Sequence, residues 1–346
     1  MELFNNQKTY DFMGKNKIIF SISAVVMALC VYFLVFQGFR LGVDFAGGTV
    51  VQIKYDAKPN TEKIRELLKE SDFKGAEIQE FGKENEILVR FQTTNQSVTK
   101  DTGDTISKLL APTGKFEIRR VEIIGPKVGD ELRQKGMMAM LISSLGILFY
   151  LAFRFEWRFG LAALLGVIHD VAITAGAVAV VGVDFDLTVL AALLTLMGHS
   201  INDTIIIFDR IREHVKEAKP DANGKYNFPQ IINEAISRTL SRTILTVLTL
   251  FFVILTLYLF GGEIIKGFAF TMLIGTIIGA YSSIFIASPF LIWFGYNVQK
   301  AKEKEAEKLK IQVEKEKMRA EFETIKKIIT HASQITGLAT PINIVP

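Results

Sequence analysis

The sequence predicts a polytopic α-helical membrane protein with six transmembrane helices and an extracytoplasmic α+β ferredoxin-like domain between helices 1 and 2. Three observations carry this reading. Hydrophobic residues make up 49% of the 346, and they are grouped in long blocks rather than dispersed. The blocks fall at roughly 18–37, 137–153, 159–183, 187–208, 243–260 and 268–294, against a need for ~20 apolar residues to cross ~30 Å of hydrocarbon. Between the first two, the chain alternates strand-like and helix-like patterns in the order βαββαβ, which is ferredoxin-like. The second and fifth blocks are short unless their polar flanks are partly embedded.

The net charge of +4 is not a nucleic-acid signal, because the basic residues follow the helices. Lys15 and Lys17 precede the first span, Arg154 and Arg158 fill the loop after the second, and a basic loop from Arg210 to Arg242 follows the fourth. The loop Gly182–Asp186 has no basic residue, and the loop after the fifth span has only Lys266. By the positive-inside rule both termini and the basic loops are cytoplasmic. The first span is too long for a signal peptide, and FQGFRLGVDF after it offers no cleavage site. Cys30 stands alone inside that span, so no intrachain disulfide forms. The expected division is 1–39 for the N-terminal segment and first helix, 40–133 for the inserted domain and linker, 134–297 for the remaining five helices with a cytoplasmic loop at 209–242, and 298–346 for a charged tail.

In LGVDFAGGTVVQIKY, residues 41–55, Gly42, Asp44, Gly47 and Gly48 mark a turn just outside the membrane that leads into an alternating strand. The paired glycines are a structural turn rather than a phosphate site, since no P-loop lysine and hydroxyl follow. The domain then reads as strand 49–55, helix 61–71, strands 76–81 and 86–92 joined by a turn at Gly82, Lys83, Glu84 and Asn85, helix 97–110 and strand 115–124. It holds no Cys or His, hence no metal constellation, and no catalytic grouping. Residues 125–136 read as a polar linker, broken at Gly125-Pro126. The piece after Asn227 has an amphipathic pattern (Ile231, Ile232, Ala235, Ile236, Leu240) and is expected to lie along the interface before turning into the fifth span. Residues 299–332 read as a solvated Lys/Glu-rich helix.

The stretch Asp186–Glu213 is the centre of interest. It begins as a membrane helix and then places His199, Asn202 and Asp203 inside the apolar run. At helical spacing Thr195, His199, Asn202 and Asp203 share one face, extended by Asp209 and Arg210. An intramembrane carboxylate is expected to face a protein interior or wet cavity, and marks a functional site by default. Asp203 lies sixteen residues beyond Leu187, ~24 Å along the helix. Arg242 opens the fifth span from the cytoplasm at similar depth, so the two can pair if their helices adjoin. Arg238, Arg242, Thr246, Thr249 and Thr256 line one stripe. His169 and Asp170 sit mid-way along the third span. With no HExxH or second ligand cluster, metal binding is not expected. A hydrogen bond to a neighbouring helix is the leading reading for that pair, and a supporting part in proton movement is the competitor. In the sixth span Thr271, Gly275, Gly279 and Ser282 form a narrow small-residue contact face.

Three stretches together resemble the SecF family, the smaller subunits of the SecD/SecF accessory complex of bacterial protein export: LGVDFAGGT at 41–49, GHSINDTIIIFDRIRE at 198–213, and SRTLSRTILT at 237–246 leading to LYLFGG. The resemblance implies membership of the resistance–nodulation–division superfamily and a bacterial inner-membrane location. It implies an obligate SecD-like partner, with which the proton motive force is used to promote preprotein export through SecYEG. It assigns the functional charges to Asp203 and Arg242, with Asn202, His199 and Asp170 as supporting candidates. Partners would be SecD, SecYEG, unfolded preprotein, protons and membrane lipid, with no cofactor, no nucleic acid and no enzymatic reaction. This chain departs from the family pattern at His199, where Tyr is usual, and at Arg238, where a neutral polar residue is common. Competing readings are a non-transporting scaffold for translocase assembly and a small-molecule exporter of the same superfamily. For Asp203 and Arg242 the competing role is a bridge that merely pairs helices.

Overall fold

A computed structural model of the protein describes residues 8–71, 73, 76–81, 85–91 and 102–336. The inserted domain is a four-stranded antiparallel sheet of order β2-β3-β1-β4, built from β1 (Gly48–Tyr55), β2 (Glu77–Glu80), β3 (Glu86–Phe91) and β4 (Phe116–Ile124). β1 is central, with Val51 opposite Val89 on one side and Val121 on the other. Period-two alternation sends Val51, Ile53, Tyr55, Ile87, Val89 and Phe91 to one face. There they form a core with Ile64 and Leu68 of α3 (Thr61–Lys69) and Ile106 and Leu110 of α4 (Thr102–Leu110). α3 starts where it does because the Asn60 side chain accepts from the N–H groups of Glu62 and Lys63, two of the donors a helix leaves unsatisfied. The turn letters Gly82–Glu84 and residues 97–101 of the expected second helix lie outside the described residues.

Among the described residues six helices are long and apolar enough to cross a membrane: Met13–Phe36, Lys127–Leu151, Trp157–Val181, Leu187–Glu217, Phe228–Phe260 and Lys266–Trp293. These spans contain α1 (Asn16–Phe36), α5 (Pro126–Arg154), α6 (Trp157–Val181), α7 (Leu187–Glu217), α8 (Phe228–Phe260) and α9 (Lys266–Ser282). Two earlier expectations are corrected. Residues 126–136 are not a linker but the first turns of α5, with Gly125 extended and Pro126 at the first helical position, where its missing N–H costs nothing. The segment after Asn227 is not an interfacial piece that bends into the membrane, because α8 runs unbroken over 33 residues.

The reason lies in length. α7 and α8 extend ~46 and ~50 Å at 1.5 Å per residue, well beyond the hydrocarbon, so their ends project. The projecting apolar faces pack on each other: Ile207, Phe208, Ile211 and Val215 of α7 share one core with Ile231, Ile232, Ala235 and Ile236 of α8. The amphipathic pattern at 231–240 thus serves protein packing rather than a lipid surface.

Small residues set the closest helix contacts. A Cβ on Gly275 would stand 2.5 Å from Leu196 Cδ2, and one on Gly176 would stand 2.3 Å from the Cβ of Cys30. α9 therefore seats on α7, and α1 on α6. Beyond α9 the chain passes through a π-helical turn, Ser283–Ala287, into α10 (Ser288–Trp293). The described part of the tail is one helix, α11 (Val298–Thr336), largely exposed between residues 303 and 329.

Candidate functional site

Asp203 is buried, 3% exposed, on a helix whose composition otherwise suits a membrane interior. Its nearest basic side chain is His199, whose Nε2 lies 3.9 Å from Asp203 Oδ2. That separation is an electrostatic contact and too long for a hydrogen bond. The guanidinium of Arg242 also acts on Asp203 through space, without a contact ion pair. Arg242 is itself exposed on α8, as are Asn202 on α7 and Thr246 and Thr249 on α8. The predicted face therefore divides: Asp203 turns inward, Thr195 and Asn202 turn outward, and His199 sits between them. The threonines of the α8 stripe donate to carbonyls of their own helix, Thr246 to Thr243 at 2.9 Å and Thr249 to Thr246 at 2.8 Å. Asp209 is held by Arg154, 2.6 Å away, and takes no part in the intramembrane cluster.

Asp170 belongs to a second and more fully bonded cluster. Its carboxylate is wholly buried and accepts from Ser200 of α7 at 2.6 Å and from Ser282 of α9 at 2.7 Å, both at Oδ2. Oδ1 accepts from His169 Nδ1 at 2.9 Å. The other ring nitrogen, Nε2, lies 2.5 Å from Ser23 Oγ of α1. Tyr281 of α9 completes the chain, 3.1 Å from Ser23 Oγ. A buried carboxylate with three donors is satisfied where an unpaired one would be costly. Sequence spacing set the adjacent His169 and Asp170 about 100° apart, yet both turn into one network that ties α1, α6, α7 and α9. Among the described residues no group of three or more His, Cys, Asp or Glu is placed to hold a metal ion.

The glycine-rich segment at 41–48 meets the start of α7. Phe39 to Gly42 runs beside Phe185: Gly42 N–H donates to the Phe185 carbonyl at 2.9 Å, and Phe185 N–H to the Arg40 carbonyl at 2.7 Å. A short helix, α2 (Val43–Ala46), follows, and Asp44 Oδ2 accepts from Leu187 N–H, the first residue of α7, at 2.9 Å. Asp186 caps the same terminus by accepting from Val189 N–H. Burial pushes the Asp186 carboxyl up, opposed by the hydrogen bonds from Thr188 and Val189, while the Asp44 charge adds to the rise. Gly42 cannot carry a side chain here, since a Cβ would stand 2.9 Å from that of Asp186. Gly47, at φ +70°, ends α2, and Gly48, at φ +129°, opens β1. Arg40 and Arg90 both pair with Asp184, which joins the sheet domain to the α6–α7 loop.

Sequence reasoning named the Gly42–Gly48 turn but missed its counterpart. The signal was present, because Gly-Val-Asp-Phe occurs twice, at 42–45 and 182–185, and the fold sets the two copies side by side. Of the serines that hold Asp170, Ser282 was legible only as a small packing residue, and Ser200 was not singled out.

The family described as protein export membrane protein SecD/SecF, C-terminal, matches residues 105–297, and the SecD/SecF GG motif matches 32–58. The chain is similar to the protein translocase subunit SecF of Helicobacter pylori, 45% identical over 94% of this chain and 99% of the relative. A SecF from Calditerrivibrio nitroreducens is also 45% identical, over 83% of this chain and 95% of that one. The fold is similar to the crystal structure of SecDF, a translocon-associated membrane protein from Thermus thermophilus. There the TM-score is 0.76 at 33% identity, covering 85% of this chain and 40% of the longer one. SecDF in a super-membrane-facing form gives 0.62 at 34%, covering 89% and 41%. The chain thus spans about two-fifths of the SecDF chains it resembles and nearly the whole of its SecF relatives. With the family matched over most of the membrane helices and the glycine motif, this chain belongs to the SecF family of protein translocase subunits.

Proposed function

We propose that this protein acts in the bacterial inner membrane with a SecD-like partner, coupling proton entry to the export of unfolded preproteins through SecYEG. In this reading the termini are cytoplasmic and the sheet domain works outside. Residues 1–39 anchor, 40–133 work on the far side, 134–297 couple, and 298–346 form the tail. The observation that carries it is Asp203: a carboxylate almost fully buried in a spanning helix, with no Lys or Arg among the described residues in contact to neutralise it permanently. Arg242 is close enough to act on its charge yet free to approach or withdraw. Burial disfavours the charged carboxylate and a nearby guanidinium favours it, so a change in their separation releases or rebinds a proton. Each proton crossing 100 mV releases about 2.3 kcal/mol. The exposed face carrying Asn202, Arg242, Thr246 and Thr249 is where we expect the partner, consistent with SecDF chains more than twice this length.

The path from proton to work runs along α7. Asp203 is on that helix, and Asp44 of the glycine-rich segment holds its first N–H. A displacement of α7 is therefore passed to the stalk of the sheet domain. Asp203→Asn, co-expressed with the SecD-like partner, tests the reading. Normal assembly with proton-gradient-dependent export lost is the expected outcome. Unchanged export with normal assembly would move the protein to the scaffold reading, and lost assembly would make Asp203 a helix-pairing group.

A further inference from the structure

His199 has a ring nitrogen that nothing uses. Its Nε2 is buried without a hydrogen-bond partner and faces Asp203 Oδ2 at 3.9 Å, one turn along the same helix. A buried polar atom left unpaired is costly, so its presence calls for an explanation. The side chain as a whole is 21% exposed and lies at the boundary between the inward Asp203 and the outward Thr195 and Asn202. One residue thus reaches from the open face of α7 to the buried carboxylate. Closing about 1 Å, or admitting one bridging water, brings the pair into hydrogen-bond range.

We propose that His199 is the proton relay through which Asp203 is loaded. The inference rests on the reading of Asp203 as a proton carrier. In loading, the Nε2–H bond of the imidazolium breaks and an Oδ2–H bond forms on Asp203. This leaves a neutral imidazole and a neutral carboxylic acid. The imidazole then regains a proton from a hydronium ion, leaving water, and Asp203 unloads to the other side of the membrane without passing back through His199.

The surroundings leave no other candidate among the described residues. From α8 the charged group is Arg242, which cannot give up its proton. From α6 come His169 and Asp170, each bonded within its own cluster. From α9 and the π-helical turn after it come the Tyr281, Ser282 and Ser283 hydroxyls, bonded to Ser23, Asp170 and Thr204 respectively. On α7 itself, Asp209 is held by Arg154 and Arg210 by Glu213. Imidazole is the group whose charge ordinarily changes near neutral pH, as a relay working across a physiological gradient requires.

The test uses the full chain with its SecD-like partner in inverted membrane vesicles, reading proton-gradient-dependent export from pH 5.5 to 8.5. His199→Gln keeps a polar side chain but cannot carry a proton. A loss of tenfold or more at neutral pH is expected, with a flattened pH profile and partial recovery on adding free imidazole. A wild-type rate and profile would overturn the proposal, as would a loss that is uniform across pH and not rescued by imidazole. If His199→Gln does not assemble, His199→Asn gives the same readouts. Asp203→Asn, run in parallel, separates the two claims. If it exports normally, the carrier reading itself is wrong. If it is inactive while His199→Gln is unaffected, only the relay fails.

Discussion

Ser200 on α7 donates to Asp170 Oδ2 on α6 at 2.6 Å, three residues ahead of Asp203 on the same helix. The residue that fixes α7 against its neighbours thus sits one turn from the carboxylate proposed to titrate. Thr204, the residue after Asp203, meets Ser283, in the π-helical turn that follows α9, at 2.9 Å. Asp203 is therefore flanked by two interhelical contacts, and any shift that moves it must break or carry both.

Removing the acceptor should be far worse than removing one donor. Asp170→Ala would strand two serine hydroxyls and the His169 N–H in a dry site, at about 1–3 kcal/mol for each unsatisfied group. Ser282→Ala should cost about 1 kcal/mol. Thermal unfolding of the purified complex, followed by size-exclusion profile, is expected to rank wild type above Ser282→Ala and that well above Asp170→Ala. Equal stability of the two variants would show that the network contributes little.

Asp44 should matter through its oxygen, not its charge. Asp44→Ala removes the acceptor from the first N–H of α7, a loss comparable to a missing helix cap at about 0.5–2 kcal/mol. Asp44→Asn keeps an acceptor and should retain most coupled export, whereas Asp44→Ala should lower it with assembly intact. Vesicle export at a fixed proton gradient distinguishes them, and equal activity would remove this contact from the coupling path.

Asp186 gives a pH signature outside the membrane. Its folded carboxyl titrates above its ordinary value, chiefly through burial. The native state then binds more protons than the unfolded one between the two pKa values, so this group makes stability fall as pH rises through that window. Its cost is fully present above the folded pKa and disappears in acid. Asp186→Asn, which retains an oxygen for Val189 N–H, should be as stable as wild type or more so at pH 7.5, with the difference closing towards pH 4. A variant that is less stable at pH 7.5 would mean that the charge itself holds the α7 terminus.

Gly275 is expected to be intolerant of branching. A Cβ there already collides with Leu196, and overpacking of this kind typically costs about 1–3 kcal/mol. Gly275→Val should lower stability and Leu196→Ala should partly restore it in the double variant, since contacting residues couple. Additive losses in the thermal shifts would place the strain elsewhere.

The outline of this molecule was legible because its signals are periodic. Apolar block length gave the spans, and the two-residue alternation in GTVVQIKY and EILVRF gave strands whose partners the ferredoxin-like order then fixed. What escaped was whatever depends on two distant stretches. The buried side of α8 could not be told from a lipid-facing one, because Ile231, Ile232 and Ala235 make the same pattern against Phe208 as against a membrane. Asp203 was visible as a costly residue in an apolar run, and so was Asp170. Their difference was not visible, since Ser200 and Ser282 reach Asp170 from other helices while, among the described residues, no donor reaches Asp203.

The clasp between residues 39–44 and 185–187 joins atoms 143 positions apart at its Asp44–Leu187 bond. Most contacts within the sheet domain span far shorter separations, so its hydrophobic core can form early. The bond to α7 cannot form until α6 and the loop after it have been made and inserted, although α2 also packs on α5. During synthesis the sheet domain is therefore tied first to α1 and α5, and its link to α7 comes only once the chain has passed its midpoint. A chain interrupted before Phe185 would leave a folded sheet with no mechanical connection to the helix that carries Asp203.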